Sequence, residues 1–341
     1  MRAACGNRFT AAVLRVEARG RVVQEEAFGT MGGCGQARPA DPTTCFDLAS
    51  LTKLFLAGAV LLEFAADERS LDAPLVACFP EWRGRPHAAI TLRMLLAHTS
   101  GMQSGADYRM LLGENVEQFA IARDLLAAPG ERVMYSDLGF IVLGELLARR
   151  CGASLAFVMQ HFFGALGVCR TTYRPRWIER SGIPSTELDD WRGRVQGIVH
   201  DEKAYLMGGV AGHAGLFGTA RDVARLADAF LAPLCGRGPR AVPAWLARCA
   251  TSEHGSDAVL RRGLGWALKT SDENSCGRWM SRRTFGHTGF TGTSVWADPE
   301  RDLSIVLLTN ALYFGRRDLR DVRAAVCEAV VEECDRCARS A

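Results

Sequence analysis

Lysine is almost missing from this sequence: Lys53, Lys203 and Lys269 are the only three, in a chain of 341 residues with 41 lysines and arginines in all. The arginines stand singly or in pairs with acidic residues between them, and the net charge is only +3. A phosphate-binding protein needs a concentrated basic face, so no nucleic-acid partner is expected. No run of about 18 apolar residues occurs, which argues against a membrane-spanning helix. The start, Met1-Arg2-Ala3-Ala4-Cys5-Gly6-Asn7-Arg8, lacks the apolar stretch of a secretory signal. Twelve irregularly spaced cysteines in so long a chain then read as reduced, mostly buried thiols, and a cytoplasmic location is expected. Cys334 and Cys337 have no second ligand pair at zinc-finger spacing and read as a solvent-facing helix end. Internal repeats and low-complexity segments are missing too.

What remains is a chain rich enough in apolar residues, 48%, to build a large core. Residues 10–17 and 21–28 are β-prone runs joined through Ala18-Arg19-Gly20 and read as a hairpin. A glycine-rich loop, 29–35, leads to a segment that is apolar almost all round from Leu54 to Ala66, the pattern of a buried helix. Helical periodicity dominates the middle, with candidates at 91–97, 116–127, 138–150, 154–163 and 220–231; residues 171–208 read mostly as loop. After Gly263 short β-prone runs return (263–268, 283–287, 293–297, 303–309), followed by a helix over 318–335 with Val322, Ala325, Val326 and Val330 as its apolar stripe. The fold class is therefore α+β: an antiparallel sheet built from both termini (1–70 and 231–341), flanked by helices, with a mostly helical region (71–230) inserted.

Three short motifs carry chemistry. Ser50-Leu51-Thr52-Lys53 opens the buried helix, and no other serine is followed by a lysine at this spacing. Three residues apart on a helix, both side chains share a face. A serine hydroxyl must lose its proton as it attacks, and Lys53 can take it only if burial beside a helix N-terminus destabilises the ammonium. Tyr135-Ser136-Asp137 follows a Pro129-Gly130 turn and precedes a helix. A tyrosine there can shuttle a proton in a cleft, or simply pack beside a capped helix start. His287-Thr288-Gly289 ends a β-prone run; a glycine-lined strand edge lets a substrate approach, although by itself the triplet reads more readily as a hairpin that happens to carry a histidine.

Together and in this order the motifs resemble those of the serine β-lactamase and penicillin-binding-protein superfamily, Ser-x-x-Lys, Tyr-x-Asn and Lys-Thr-Gly. The tyrosine resembles the class C β-lactamase branch with its D,D-peptidase and esterase relatives. The segments Leu95–Met102, Gly208–Phe217, Asp298-Pro299-Glu300 and Leu307–Asn310 extend the similarity over about residues 10–335. The resemblance implies a β-lactamase/transpeptidase-like fold, with Ser50 the acylated nucleophile, Lys53 its proton partner and Tyr135 the general base and acid. It further implies an oxyanion hole from the N–H groups of Ser50 and Phe290, with Asp137, His287, Thr288 and Gly289 lining the substrate site.

Two positions depart from the pattern. Asp137 replaces an amide that can donate with a carboxylate that can only accept. It would hold Lys53 charged and shift proton transfer to Tyr135. His287 replaces a fixed cation with one only partly charged near neutral pH, which argues against efficient penicillin hydrolysis. His98 and His213 sit in glycine-containing turns and read as structural, and neither a cofactor nor a catalytic metal is expected. The implied activity is a serine hydrolase cleaving amides or esters through an acyl-enzyme, acting on a small molecule or peptidoglycan fragment, in the manner of a D,D-carboxypeptidase, muropeptide amidase or esterase. The alternatives are a non-catalytic ligand-binding or assembly protein and a true class C β-lactamase.

Overall fold

The first strand of the chain lies against its last. In the computed structural model Ala11–Ala18 pairs antiparallel with Leu303–Thr309 on one side, from Ala12 opposite Thr309 to Ala18 opposite Leu303, and with Arg21–Gly29 on the other. The sheet continues from Leu303–Thr309 through Ser294–Asp298, Phe285–Thr288, Ala267–Leu268 and Arg261–Arg262 to Gly255–Ser256, eight strands with every neighbour antiparallel. The hairpin turn at Arg19-Gly20 forms as expected, both residues having positive φ. The structure describes all residues except 33–37, 106, 239–240, 257–260 and 341, and the backbone alone for 338–340. The later part of the glycine-rich loop and Cys34 thus lie outside the described residues.

Strands Ser294–Asp298 and Leu303–Thr309 are buried along their whole length because helices cover both faces. On one face lie Phe55, Phe163, Phe230 and Trp266 with Val13 and Val306. On the other, Leu14, Trp296, Ile305 and Leu307 meet Val326, Cys327, Val330 and Val331 of the helix Arg320–Ser340. Ala325, expected on that apolar stripe, is exposed, whereas Arg323 is turned inward.

The helix expected over 54–66 runs Thr52–Phe64, with residues Thr52 to Leu61 all buried. Helices Leu92–Leu96, Asp137–Cys151, Leu155–Leu166 and Ala220–Leu234 also match the periodicity. The helix expected over 116–127 stops at Ala122, and Pro129-Gly130 follows where the chain turns. A short helix, Ala244–Ala250, was not foreseen, nor was Glu202–Leu206 within the 171–208 loop. Among the described residues no helix is long and apolar enough to cross a membrane. The eleven described cysteines are free thiols, but only Cys45, Cys249, Cys276 and Cys327 are buried, so "mostly buried" does not hold. Cys337 is exposed near the end of the last helix, as expected.

Candidate active site

Ser50 lies in a 3-10 turn, Ala49–Leu51, that leads directly into the helix Thr52–Phe64. Ala49 enters this turn with φ +47°, a left-handed conformation that costs a residue with a Cβ about 1–2 kcal/mol. Its surroundings hold it there. The buried Asp47 carboxylate accepts from the N–H of Ala49 at 2.9 Å and from that of His200 at 2.6 Å. Burial pushes Asp47 above the usual carboxylate range, against the pull of those two N–H groups. Thr291 Oγ1 donates to Asp47 O (2.8 Å) and Thr293 Oγ1 to Leu48 O (3.1 Å), so the loop after the His-Thr-Gly triplet is tied to the backbone just before Ser50.

Lys53, with a side chain only 1% exposed, points back along the helix at Ser50. Its Nζ lies 3.0 Å from Ser50 Oγ, 3.0 Å from the His213 carbonyl oxygen and 2.9 Å from Asp137 Oδ1. An ammonium has three N–H donors, and here each has an acceptor. Burial alone would lower the pKa of Lys53, but Asp137 and Tyr135 outweigh it and leave the ammonium above its ordinary value. The destabilised lysine considered from sequence is therefore not found; the lysine held charged by Asp137 is.

Tyr135 and Asp137 are placed by one helix start. Ser136 is the N-cap of Asp137–Cys151: its Oγ accepts from Gly139 N at 2.9 Å and donates to Gln103 O at 2.7 Å. Asp137 then occupies the first turn, and Tyr135, just outside it, reaches Ser50 Oγ with its hydroxyl at 3.0 Å. The capped helix start and the cleft tyrosine, posed as alternatives by the sequence, are the same arrangement. The Tyr135 ring lies between Lys53 Nζ, 4.9 Å from its centroid, and the guanidinium carbon of Arg262 at 5.3 Å. The His98 ring lies tilted against it at 4.6 Å and His287 meets it at 5.9 Å.

Both imidazoles are neutral. Burial, then Arg262 and Lys53, push His287 down to about 3 and His98 well below its ordinary value. His287 is thus uncharged near neutral pH rather than partly charged, and its Nδ1–H donates to Thr288 O at 2.7 Å. It contacts Tyr135 through the ring and makes no hydrogen bond to it. His98 Nδ1 accepts from Ser136 N at 3.0 Å, the structural role expected of it. His213 contributes its carbonyl to Lys53, while its Nε2 lies 2.7 Å from Asp201 Oδ1.

Thr288 pairs with Ser294 at the end of its strand, and Gly289 N donates to Thr293 O at 2.7 Å. A Cβ on Gly289 would meet Thr293 Oγ1 at 2.0 Å and Leu48 O at 2.7 Å, so only glycine brings this strand end against the Ser50 turn. Arg323, from the last helix, donates to the carbonyls of Gly289 (2.8 Å) and Thr293 (3.1 Å). Phe290 is 57% exposed, its ring near His200 and Arg316. Ser50, Lys53, Tyr135 and Asp137 thus touch directly, His287 and Gly289 flank them, and Thr288 and Phe290 stand at the rim.

Sequence reasoning missed Lys203. Its Nζ lies 3.2 Å from Asp137 Oδ2 and 3.5 Å from Asp201 Oδ2. Burial would raise Asp137, but Lys53, His213 and Lys203 bring it below the carboxylate range. Burial likewise opposes the ionisation of Asp201, yet His213 and Lys203 hold it well below its ordinary value. The one mark of Lys203 in the sequence is scarcity, as one of only three lysines; that it meets Lys53 at one carboxylate is seen in the fold alone. Asp47, Arg262 and Arg323 were missed as well; nothing local marks a buried charge whose partner lies far along the chain, as His200 does for Asp47 and Gly289 for Arg323. The ligand atoms of Asp137, Asp201 and His213 approach within 4.8 Å of one another, as a metal site would require. Two ammonium groups already balance those carboxylates, so the cluster fits an ion-pair network better than a divalent ion. Beyond Lys203 opens a cavity of about 570 Å³, whose walls include Tyr108, Trp191, Glu187, Glu202 and Arg316.

Known proteins resemble this chain in sequence and in fold. A family model described as beta-lactamase matches residues 4–328. The chain is 30% identical over 331 residues to a protein of Escherichia coli O157:H7 provisionally named a D-alanyl-D-alanine carboxypeptidase, covering 85% of this chain and 76% of that one. It is 30% identical to an N-acetylmuramyl-L-alanine amidase of Bacillus subtilis (89% and 77% covered) and 29% identical to the esterase EstB of Burkholderia gladioli (90% and 88%). In fold it is similar to EstCE1, a hydrolase with promiscuous acyltransferase activity, at TM-score 0.74 and 22% identity with 94% of each chain covered. A beta-lactamase/D-alanine carboxypeptidase from Pseudomonas syringae superposes with TM-score 0.74 at 19% identity, covering 95% of this chain and 94% of that one. The chain belongs to the β-lactamase family of serine hydrolases.

Proposed function

We propose that the protein cleaves ester or amide bonds through an acyl-enzyme on Ser50. The observation that carries this reading is the bracketing of Ser50 Oγ by Tyr135 Oη and Lys53 Nζ, each at 3.0 Å, with Lys53 held by Asp137. Ser50 Oγ attacks the substrate carbonyl carbon as its proton passes to Tyr135 Oη, which acts as the general base. Lys53 stays charged and supports the developing negative charge. The tetrahedral oxyanion is received by the N–H groups of Ser50 and Phe290. Its collapse breaks the bond to the leaving amine or alkoxide, which takes the proton back from Tyr135. Water then attacks the ester by the same steps in reverse order and frees Ser50.

The substrate class we infer is D-amino-acid-containing peptidoglycan fragments or small esters, the range spanned by the names of the relatives. A neutral His287 supplies no cation for the carboxylate of a β-lactam, which supports a peptidase, amidase or esterase over a penicillin-hydrolysing enzyme. A cytoplasmic setting would favour turnover of recycled wall fragments. Intact-mass analysis after a fluorophosphonate probe tests the nucleophile. One adduct is expected on wild type and none on Ser50→Ala; equal labelling of both would remove Ser50 from the mechanism. A panel of p-nitrophenyl acetate, nitrocefin and D-Ala-D-Ala peptides then separates the substrate classes, and rapid nitrocefin turnover would overturn the argument from His287.

A further inference from the structure

The carboxylate of Asp137 can accept hydrogen bonds but cannot donate one to a substrate. Immediately behind it lies a group that can. Lys203 Nζ contacts Asp137 Oδ2 at 3.2 Å and Asp201 Oδ2 at 3.5 Å, which commits two of its three N–H donors. Its side chain is 12% exposed, and it forms part of the wall of the cavity of about 570 Å³. That is ample volume for a small peptide-like group. A Cβ on Gly105 would come 3.4 Å from Nζ, so a larger residue there would lie against the ammonium, whereas glycine leaves it open.

Several other charges on the cavity wall are already engaged. Arg316 is bound by Glu187 (2.9 Å) and Glu202 (2.7 Å), and the Asp189 carboxylate accepts from Arg192 Nε at 2.8 Å. Tyr108 and Trp191, with ring centroids 4.5 Å apart, add an aromatic surface. Hydrogen-bonded steps from Ser50 to Lys53, from Lys53 to Asp137 and from Asp137 to Lys203 connect the reacting serine to this wall.

We propose that Lys203 is a specificity-determining residue whose ammonium donates to an acceptor oxygen on the substrate's acyl chain, with the adjoining cavity receiving that chain. The substrate class is then an acyl donor with an amide carbonyl near the scissile carbonyl, an N-acylamino acid or peptide derivative rather than a plain fatty ester. This deepens, and rests on, the serine-hydrolase reading. Asp137 gains a role within it, as the group that fixes both lysines, one for the serine and one for the substrate.

Two esters with acyl chains of equal length make the test: p-nitrophenyl N-acetylglycinate, which has the amide, and p-nitrophenyl pentanoate, which lacks it. Lys203→Met is expected to lose about ten-fold more kcat/KM on the N-acetylglycinate than on the pentanoate, with the extra loss in KM, as for a lost hydrogen bond from a charged donor. Lys203→Gln, which keeps an N–H donor, recovers part of it. Thermal melts of both variants identify any loss of folded protein, and rates are taken per folded molecule. Equal losses on the two esters, or an extra loss confined to kcat, would overturn the proposal and leave Lys203 as a prop for Asp137. If wild type turned over neither ester, the hydrolase reading would fall and this inference with it.

Discussion

The Asp47 carboxylate accepts from the N–H of Ala49, so the residue that enters the Ser50 turn at φ +47° is held by a buried acid two positions before it. Both carboxylate oxygens are used, one on Ala49 and one on His200. In Asp47→Asn one of these N–H groups would face an amide N–H. A loss of about 1–3 kcal/mol of stability is expected, with a fall in acylation rate, as read by urea unfolding and by the rate of fluorophosphonate labelling. Unchanged labelling would show that the turn holds without this bond.

Tyr135→Phe removes only the hydroxyl at 3.0 Å from Ser50 Oγ. Turnover should fall by about 10²–10⁴-fold, the range of a general base, with the melting temperature nearly unchanged. A variant that retained wild-type turnover would exclude Tyr135 as the proton carrier.

Acid should unfold the protein through its buried imidazoles. His287 is neutral in the fold down to about pH 3, and His98 is also depressed, whereas both charge below about pH 6.5 once unfolded. The unfolded state therefore binds more protons in this window. Stability present above about 6.5 is lost as pH falls towards 3, at about 1.4 kcal/mol per pH unit for each histidine. Asp137 and Asp201, both depressed, add a loss at lower pH, below the ordinary carboxylate range. Urea unfolding of wild type and His287→Asn between pH 7 and 4 measures the slope, which should be shallower in the variant. Parallel slopes would mean that His287 is charged in the fold.

Arg323→Met tests a support that touches no substrate. It removes the charged donor to the Gly289 and Thr293 carbonyls, which keep one backbone partner each, Gly292 N and Gly289 N. A total cost of about 1.5–3 kcal/mol, that of losing a charged donor, is expected, together with a lower kcat, because the segment that carries Phe290 loses its anchor. A destabilised variant with full kcat per folded molecule would confine Arg323 to stability.

What could be read from the sequence follows from range. Ser50 and Lys53 are three residues apart on one helix, and Tyr135 and Asp137 flank one N-cap, so local rules place each pair. The hairpin and the buried helix are equally local. The triplet His287-Thr288-Gly289 could be placed only by its resemblance to a known pattern. Arg323, Asp47 and Lys203 act through contacts to Gly289, His200 and Asp137, and no periodicity reports such pairings. The charge state of Lys53 was legible because Asp137 was; that of His287 was not, since it depends on burial and on Arg262.

The bonds from Thr291 to Asp47 and from Thr293 to Leu48 span 244 and 245 residues. On a ribosome adding about 5–20 residues per second, the threonines emerge roughly 12–50 s after the serine they brace. The inner partner of the first strand, Leu303–Thr309, appears later still. A nascent or truncated chain thus carries Ser50 without the frame that aims it. If Ser50 is the nucleophile, hydrolytic competence is expected to be among the last properties the molecule acquires, and a prematurely ended product is expected to be silent rather than promiscuous.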